Sequence, residues 1–244
     1  MREEELRRYA RHITLPELGE AGQAKLAAAR VLVIGAGGLG ASCLMSLAAS
    51  GIGTIGIVEP DHVELSNLPR QTLYETADIG RKKAEAAKDR LEEMNPNATI
   101  IPHITRLDAA NAQAFINGYD LVMDGTDNFD ARYAINDACL KTKTPWVHAA
   151  MIGFTGHMTS FTSDGPCYRC YAPEKPERER SCAQEGIISP LAGIMGNMQA
   201  LEAIKLLLHM DGNLAGILLR FDARTMEMKK SRLTRDPACS MHQG

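Results

Sequence analysis

Residues 30–70 read RVLVIGAGGLGASCLMSLAASGIGTIGIVEPDHVELSNLPR, and this stretch decides the fold. Its first apolar run, residues 31–34, is short and largely β-branched, as suits a strand buried on both faces. Gly35-Ala36-Gly37-Gly38-Leu39-Gly40 follows at once. Glycines at such a turn permit a tight bend and close approach of a phosphate, and a helix opening behind them points unpaired amide hydrogens at an anion. A second strand over 54–58 ends at Glu59, about 20 residues beyond the turn, where a carboxylate takes a ribose hydroxyl. The stretch is a nucleotide site.

Which nucleotide it takes is decided further along, because the glycine pattern fits NAD enzymes as well as ATP enzymes. Past Glu59 the chain continues into Asp61, Asn67, Arg70 and Gln71, and Lys83 opens the next helix. Cations there suit a triphosphate. An NAD-dependent oxidoreductase stands as the alternative, and it leaves Arg70, Lys83 and the acidic and cysteine motifs below without a role.

Working outward, the apolar periodicity alternates between strand and helix. Helices are predicted over 3–12 and 17–28, broken by Leu15-Pro16, then over 81–94, 109–117 and 129–141, with strands at 99–102, 121–123 and 146–150. Such a β-α series builds a mostly parallel sheet, so the fold class is α/β, Rossmann-like, with helices on both faces. Residues 154–161, with Gly153 and Gly156, predict an antiparallel hairpin added beyond the parallel part. Residues 172–186 are charged, carry two prolines and read as a mobile loop bearing Cys182. A core helix is predicted over 187–210, with Asn197, Gln199, Glu202 and Lys205 forming one polar face. Short strands over 217–221 and 226–230 precede the tail.

The chain reads as a single domain of 244 residues: a helical arm over 1–28, a nucleotide-binding core over 30–150 and a distal part over 151–244. Its 27 basic and 30 acidic residues nearly balance, and no basic block is interleaved with aromatics, which disfavours nucleic acid as a partner. The opening Met1-Arg2-Glu3-Glu4-Glu5 lacks the apolar core of a signal peptide, and no apolar run reaches the ~18 residues of a membrane span. A cytoplasmic protein without membrane contact is expected.

Asp124-Gly-Thr-Asp127-Asn128 falls at the carboxyl end of a strand, where open α/β sheets place their ligands. Magnesium prefers oxygen ligands beside phosphates, and Asp127 is a candidate to hold it. Equally, Asp127 or Asn128 could simply cap the helix that begins near Phe129. Among six cysteines, Cys43 and Cys139 fall inside predicted helices and read as core. Cys167 and Cys170 form one short pair, and Cys239 with His242 forms another. Two such pairs from distant parts of a chain make a tetrahedral zinc clamp, and the absence of a neighbouring acid favours a structural role. A redox Cys-x-x-Cys is the alternative.

With these residues assembled, the chain resembles the MoeB/ThiF family of adenylyltransferases, bacterial relatives of ubiquitin-activating enzymes. The resemblance runs from Tyr9-Ala-Arg11-His-Ile through GAGGLG, LSNLPRQ, DGTDN, CYRC and PERERSC to GNMQALEAIK, in that order. It implies ATP-dependent adenylation of the C-terminal Gly-Gly carboxylate of a ubiquitin-like sulfur carrier of the ThiS or MoaD kind, releasing pyrophosphate. Thiamine or molybdopterin biosynthesis is the implied setting; adenylation of a small acid or peptide by the same chemistry is the alternative. Beside the turn glycines Gly35, Gly37, Gly38 and Gly40 and the following Asp61, read above as nucleotide contacts, the family pattern gives Glu59 the ribose and Asn67, Arg70 and Lys83 the phosphates. Asp127 takes magnesium, Arg11 reaches the phosphates of a neighbouring subunit in a homodimer, and Cys182 matches a cysteine that some branches use covalently. No rhodanese-like segment is appended, so the sulfur donor is expected to be a separate protein. The chain departs from the pattern at Glu59, where aspartate is usual, at Pro69, where glutamine is frequent, and at Arg81-Lys82 before Lys83. His242 stands in place of a fourth zinc cysteine.

Overall fold

The computed structural model describes residues 2–176 and 185–242. Its strands form one eight-stranded sheet in the order β3-β2-β1-β4-β5-β6-β7-β8. The five strands β1 (Arg30–Ile34), β2 (Thr54–Val58), β3 (Thr99–His103), β4 (Leu121–Asp124) and β5 (Trp146–Ile152) run parallel. β6 (Thr155–Phe161), β7 (Ile217–Asp222) and β8 (Glu227–Arg232) extend the sheet antiparallel. The chain winds from β1 outward to β3, then returns to the other side of β1 as β4, with Ile34 opposite Asp124. That reversal opens a crevice at the carboxyl ends of β1 and β4, the place where doubly wound sheets bind ligands.

Both faces of the parallel part are covered, which explains its unbroken apolar strands. Val31, Val33, Ile55, Ile57, Leu121 and Met123 pack on one side with α4 (Gly38–Ala49), α5 (Lys83–Met94) and α9 (Ser189–Leu207). Leu32, Ile34, Val58, Val122 and Trp146 pack on the other with α6 (Ala112–Ile116) and α7 (Phe129–Thr142). α4 sits deepest: Leu39, Leu44 and Leu47 are each worth roughly 1.5–3 kcal/mol as buried side chains. Truncating Leu44 to alanine would cost about 2–5 kcal/mol, because so tight a layer collapses poorly around a cavity.

Several predicted boundaries move for identifiable reasons. The helix expected over 3–12 is two, α1 (Glu3–Arg8) and α2 (Ala10–Ile13), because Tyr9 turns inward and its hydroxyl accepts from Asn95 Nδ2 at 2.7 Å. α3 (Gly19–Ala28) starts two residues later than expected. β5 runs on to Ile152, and Gly153, at φ +57°, turns the chain into β6 as the predicted hairpin. The larger correction concerns α9, whose polar face was expected to form one stripe. Gln199 and Glu202 are fully buried: the Gln199 amide donates to the Asp124 carbonyl at 2.8 Å. Glu202 accepts from Ser160 Oγ at 2.8 Å and from the Leu214 amide, with Lys205 as its ion partner. Buried polar atoms need such partners, and β4, β6 and the turn at Leu214 supply these.

Candidate active site

The crevice at the switch point is a cleft of about 1120 Å³. Its floor is the glycine turn. Gly37 precedes α4 with no side-chain cap, so the first amides of that helix face the cleft unpaired. The glycines divide by role. A Cβ on Gly40 would lie 1.9 Å from the Gly35 carbonyl oxygen, so Gly40 seats α4 against β1 and does not line the cleft. A Cβ on Gly37 would meet only Gln71, at 3.7 Å, and Gly35, Gly37 and Gly38 do line it.

Glu59, at the end of β2, is buried, and its carboxylate is held in place by the turn itself: Oε2 accepts from the Ala36 amide at 2.8 Å and Oε1 from the Asp61 amide at 2.9 Å. Each oxygen keeps a further lone pair, so the longer glutamate arm is folded back yet still presents an acceptor at the rim. The adjoining loop supplies the cations. Lys83 begins α5, its amide bonded to the Asp61 carbonyl at 2.9 Å, and its buried amine lies 3.9 Å from the Asp61 carboxylate. Lys82 turns instead toward the Pro60 carbonyl, at 3.4 Å, and is absent from the lining. Arg70 donates to the Ser66 carbonyl at 2.8 Å, which anchors its guanidinium beside Asn67. Glu59, Asp61, Asn67, Arg70 and Lys83 therefore converge on one cavity.

Across the cleft, Asn128 caps α7 by accepting from the Ala131 amide at 2.9 Å. That leaves Asp127 exposed at the rim, one carboxylate beside the space for phosphates. Such a lone oxygen donor suits a cation that keeps water and phosphate as its other ligands.

Behind Asp127 lies a group that the sequence does not announce. Asp124 is fully buried; its Oδ2 accepts from His148 Nδ1 at 2.7 Å and lies 3.5 Å from Arg132 Nε. Burial works against charge on Asp124, but the His148 hydrogen bond and the Arg132 guanidinium overcome it, and its pKa falls below the ordinary carboxylate range. Burial holds His148 below its usual value, despite Asp124, so the imidazole is neutral with its proton on Nδ1. Burial also pushes His157 down to about 3. His157 of β6, Arg132 and Tyr133 of α7, and Arg169 form a second wing of the cleft lining, contributed by other elements than the glycine turn. Arg169 grips Asp137 through two bonds of 2.9 and 2.7 Å and stacks 4.5 Å above the Tyr133 ring.

The four candidate metal ligands come together. Cys167, Cys170, Cys239 and His242 bring their ligand atoms within 4.8 Å of one another. Both Cys167–Cys170 and Cys167–Cys239 sulfur pairs are 3.8 Å apart, too far for a bonded disulfide and equal to the edge of about 3.8 Å that a tetrahedron with ~2.3 Å metal–sulfur bonds requires. His242 Nε2 is buried without a hydrogen-bond partner among the described residues. Three soft sulfurs and an orphaned imidazole nitrogen fit a metal ion. Cys43 and Cys139 are buried in the core, where desolvation raises their thiol pKa values strongly, as inert packing residues.

Two expected residues stand apart. Arg11 is exposed on α2 and outside the cleft lining of its own chain. Cys182 lies outside the described residues, as does most of the loop expected over 172–186; of that segment Ala172 accepts from the Tyr133 hydroxyl at 3.0 Å and Pro176 lines the cleft.

A doubly wound sheet with an anion-ready turn, a carboxylate at the end of β2 and cations above the helix N-terminus defines a nucleotide-binding protein with a metal-ready tail. The chain belongs to the ThiF family, which matches residues 9–241. It is 43% identical over 244 residues to the sulfur carrier protein adenylyltransferase of Thermus thermophilus, covering 97% of this chain and 90% of that protein. It is 42% identical to the SAMP-activating enzyme E1 of Haloferax volcanii, over 96% of this chain and 88% of that one. Among solved structures, Escherichia coli MccB with MccA-N7isoASN superposes with a TM-score of 0.85 at 21% identity, covering 97% of this chain and 74% of that one, a likeness of fold.

Proposed function

We propose that this protein is an ATP-dependent adenylyltransferase that activates the C-terminal Gly-Gly carboxylate of a ubiquitin-like sulfur carrier. The observation that carries the reading is the convergence of the glycine turn, Glu59, Asn67, Arg70, Lys83 and Asp127 on one cleft with a second wing beside it. Family membership and the names of two relatives, a sulfur carrier protein adenylyltransferase and an activating enzyme, support it.

The chemistry follows from charge. A carboxylate oxygen of the carrier attacks the α-phosphorus of ATP, a new C–O–P link forms, and the bond to the β-phosphate oxygen breaks to release pyrophosphate. Anion meets anion, so the protein must neutralise charge and align the reactants, with no covalent bond of its own to phosphorus. Glu59 holds the ribose end, and the amides of α4 and Asn67 hold the phosphate chain. Arg70 and Lys83 carry positive charge to the oxygens that gain negative charge. Asp127 would hold magnesium, which supplies charge neutralisation between the phosphates. The second wing, with Arg132, His157 and Arg169, receives the acceptor's tail. Cys167, Cys170, Cys239 and His242 would hold zinc, which pins the tail to α8 (Tyr168–Tyr171). Arg11 completes the site of a second copy in a homodimer, and the carrier serves a thiamine or molybdopterin route.

Calorimetric titration tests the nucleotide reading. ATP with magnesium should bind, Arg70→Ala and Lys83→Ala should each weaken it, and NADH should not compete. Tight NADH binding that ignores both substitutions would replace this reading with the oxidoreductase one.

A further inference from the structure

Asp127 owes its position to the residues that fix its bend, several of which also line the cleft. Between β4 and α7 the chain makes a short bend, and each polar group of Thr126 is taken. Its amide donates to Asp124 Oδ1 at 2.9 Å, its hydroxyl donates to the same oxygen at 2.6 Å, and its carbonyl accepts from Arg132 Nη2 at 2.9 Å. Gly125 before it is pressed against the glycine turn: its amide bonds to the Ile34 carbonyl at 2.8 Å, and a Cβ on it would lie 2.6 Å from the Gly35 oxygen. Asn128 after it commits its Oδ1 to the helix cap, and its Nδ2 lies 3.5 Å from Asp127 Oδ1, at the outer edge of a hydrogen bond. Asp124 is itself held from three sides, by His148 at 2.7 Å, by Arg132 at 3.5 Å and, through its carbonyl, by Gln199 at 2.8 Å.

A buried ion pair is a poor way to gain stability, since well-packed apolar residues do as well without the desolvation cost. What a pair of this kind can supply is a single fixed arrangement, here one carboxylate that receives both donors of Thr126. We propose that Asp124, fixed by His148 and Arg132, is the positioning residue that sets the Asp127 carboxylate where it meets the cation bound with ATP. His148 Nε2 is buried with no hydrogen-bond partner among the described residues, between His157 and Tyr168, so within this network its bond to Asp124 is its polar contact. The proposal rests on the reading of the cleft as a magnesium-ATP site.

The test is the ratio of ATP affinities with and without magnesium, measured by calorimetry on folded full-length protein. Asp127→Ala should abolish the tightening by magnesium. His148→Leu, which removes the donor to Asp124, and Thr126→Val, which removes one of the donors Asp124 receives, should each reduce it, His148→Leu by about tenfold, as for lost outer-shell partners at metal sites. His148→Asn, whose amide can replace the Nδ1 donor, should restore it. Thr126→Val keeps shape and backbone bonds, so it decides the matter should His148→Leu fail to fold. An unchanged ratio in folded Thr126→Val or His148→Leu, with Asp127→Ala still deficient, would overturn the positioning role and leave the ATP reading intact. Absence of magnesium-enhanced binding in the unsubstituted protein would overturn both.

Discussion

Cys167 and Cys239 stand 72 residues apart in the chain, yet their sulfurs lie 3.8 Å from each other, one beside α8 and the other at the start of the last described turn. Beyond β8, Leu233 packs on the core and Arg235 donates to the Gly165 and Ser163 carbonyls at 3.0 and 3.2 Å, while these ligands tie down the end of the tail. Treating the protein with a chelator, or substituting Cys239→Ser, is expected to loosen residues 236–242 first. A loss of about 3 kcal/mol would lower the melting temperature by roughly 6–12 °C in a chain of this size. Proteolysis should then cut the tail while the sheet persists; a tail equally protected with and without metal would contradict the clamp.

The glycine turn contains two kinds of glycine, and substitution separates them. Gly40→Ala drives a Cβ into the Gly35 carbonyl and should cost at least 2–3 kcal/mol by urea unfolding, through displacement of α4. Gly37→Ala meets no such obstacle and should fold normally, but its methyl group intrudes where a phosphate would approach. Equal loss of ATP affinity without loss of stability in both variants would show that Gly40 also acts on the ligand.

Acid should unfold the protein through its buried histidines. His157 has a folded pKa of about 3 against an ordinary ~6.5, and His148 is also depressed, so in that window the unfolded chain binds protons that the folded one refuses. Stability is complete above ~6.5 and falls as pH drops, by up to about 1.4 kcal/mol per unit for each such histidine, until the folded pKa is reached. Asp124, depressed as a carboxylate, adds a loss below its unfolded pKa of ~3.9. Urea midpoints from pH 7.5 to 4 measure this, and His157→Gln should flatten the curve. A midpoint independent of pH between 7 and 5 would contradict the burial.

Glu202 is the polar residue that α9 can least lose. Glu202→Ala strands the Leu214 amide and the Ser160 hydroxyl in the interior, and each buried unsatisfied group costs about 1–3 kcal/mol. A change under 0.5 kcal/mol in the unfolding free energy would mean that water or another donor takes over.

Much of this architecture is legible in residue order, because turns and each half of a metal clamp are local. The run from Val31 to Glu59 announces strand, anion turn, helix and ribose acid in sequence, and the cysteine spacing announces a clamp even though its halves are far apart. What stays hidden is polar and long-range. His148 sits within Trp146-Val-His-Ala-Ala, where it reads as one more residue of a buried strand, and its partner Asp124 lies on another strand. Gln199 and Glu202 share the periodicity of a solvent face, and only the third dimension reveals that the sheet supplies their partners. Two acids at one strand end, Asp124 and Asp127, were the available signal: one capable of facing the ligand, the other free to anchor it. The second wing is scattered over α7, α8 and β6, so no single stretch encodes it.

The measurement that reaches the central claim most directly is exchange of labelled pyrophosphate into ATP with magnesium and a Gly-Gly-tailed carrier, compared with the same carrier lacking its terminal glycine. Exchange is expected only with the intact tail. Asp127→Ala should reduce it about a hundredfold, the ~3 kcal/mol that one lost transition-state contact is worth. Folded, metal-loaded protein that supports no exchange with any intact ThiS-like or MoaD-like carrier, or exchanges equally well with the shortened one, would contradict carrier adenylation.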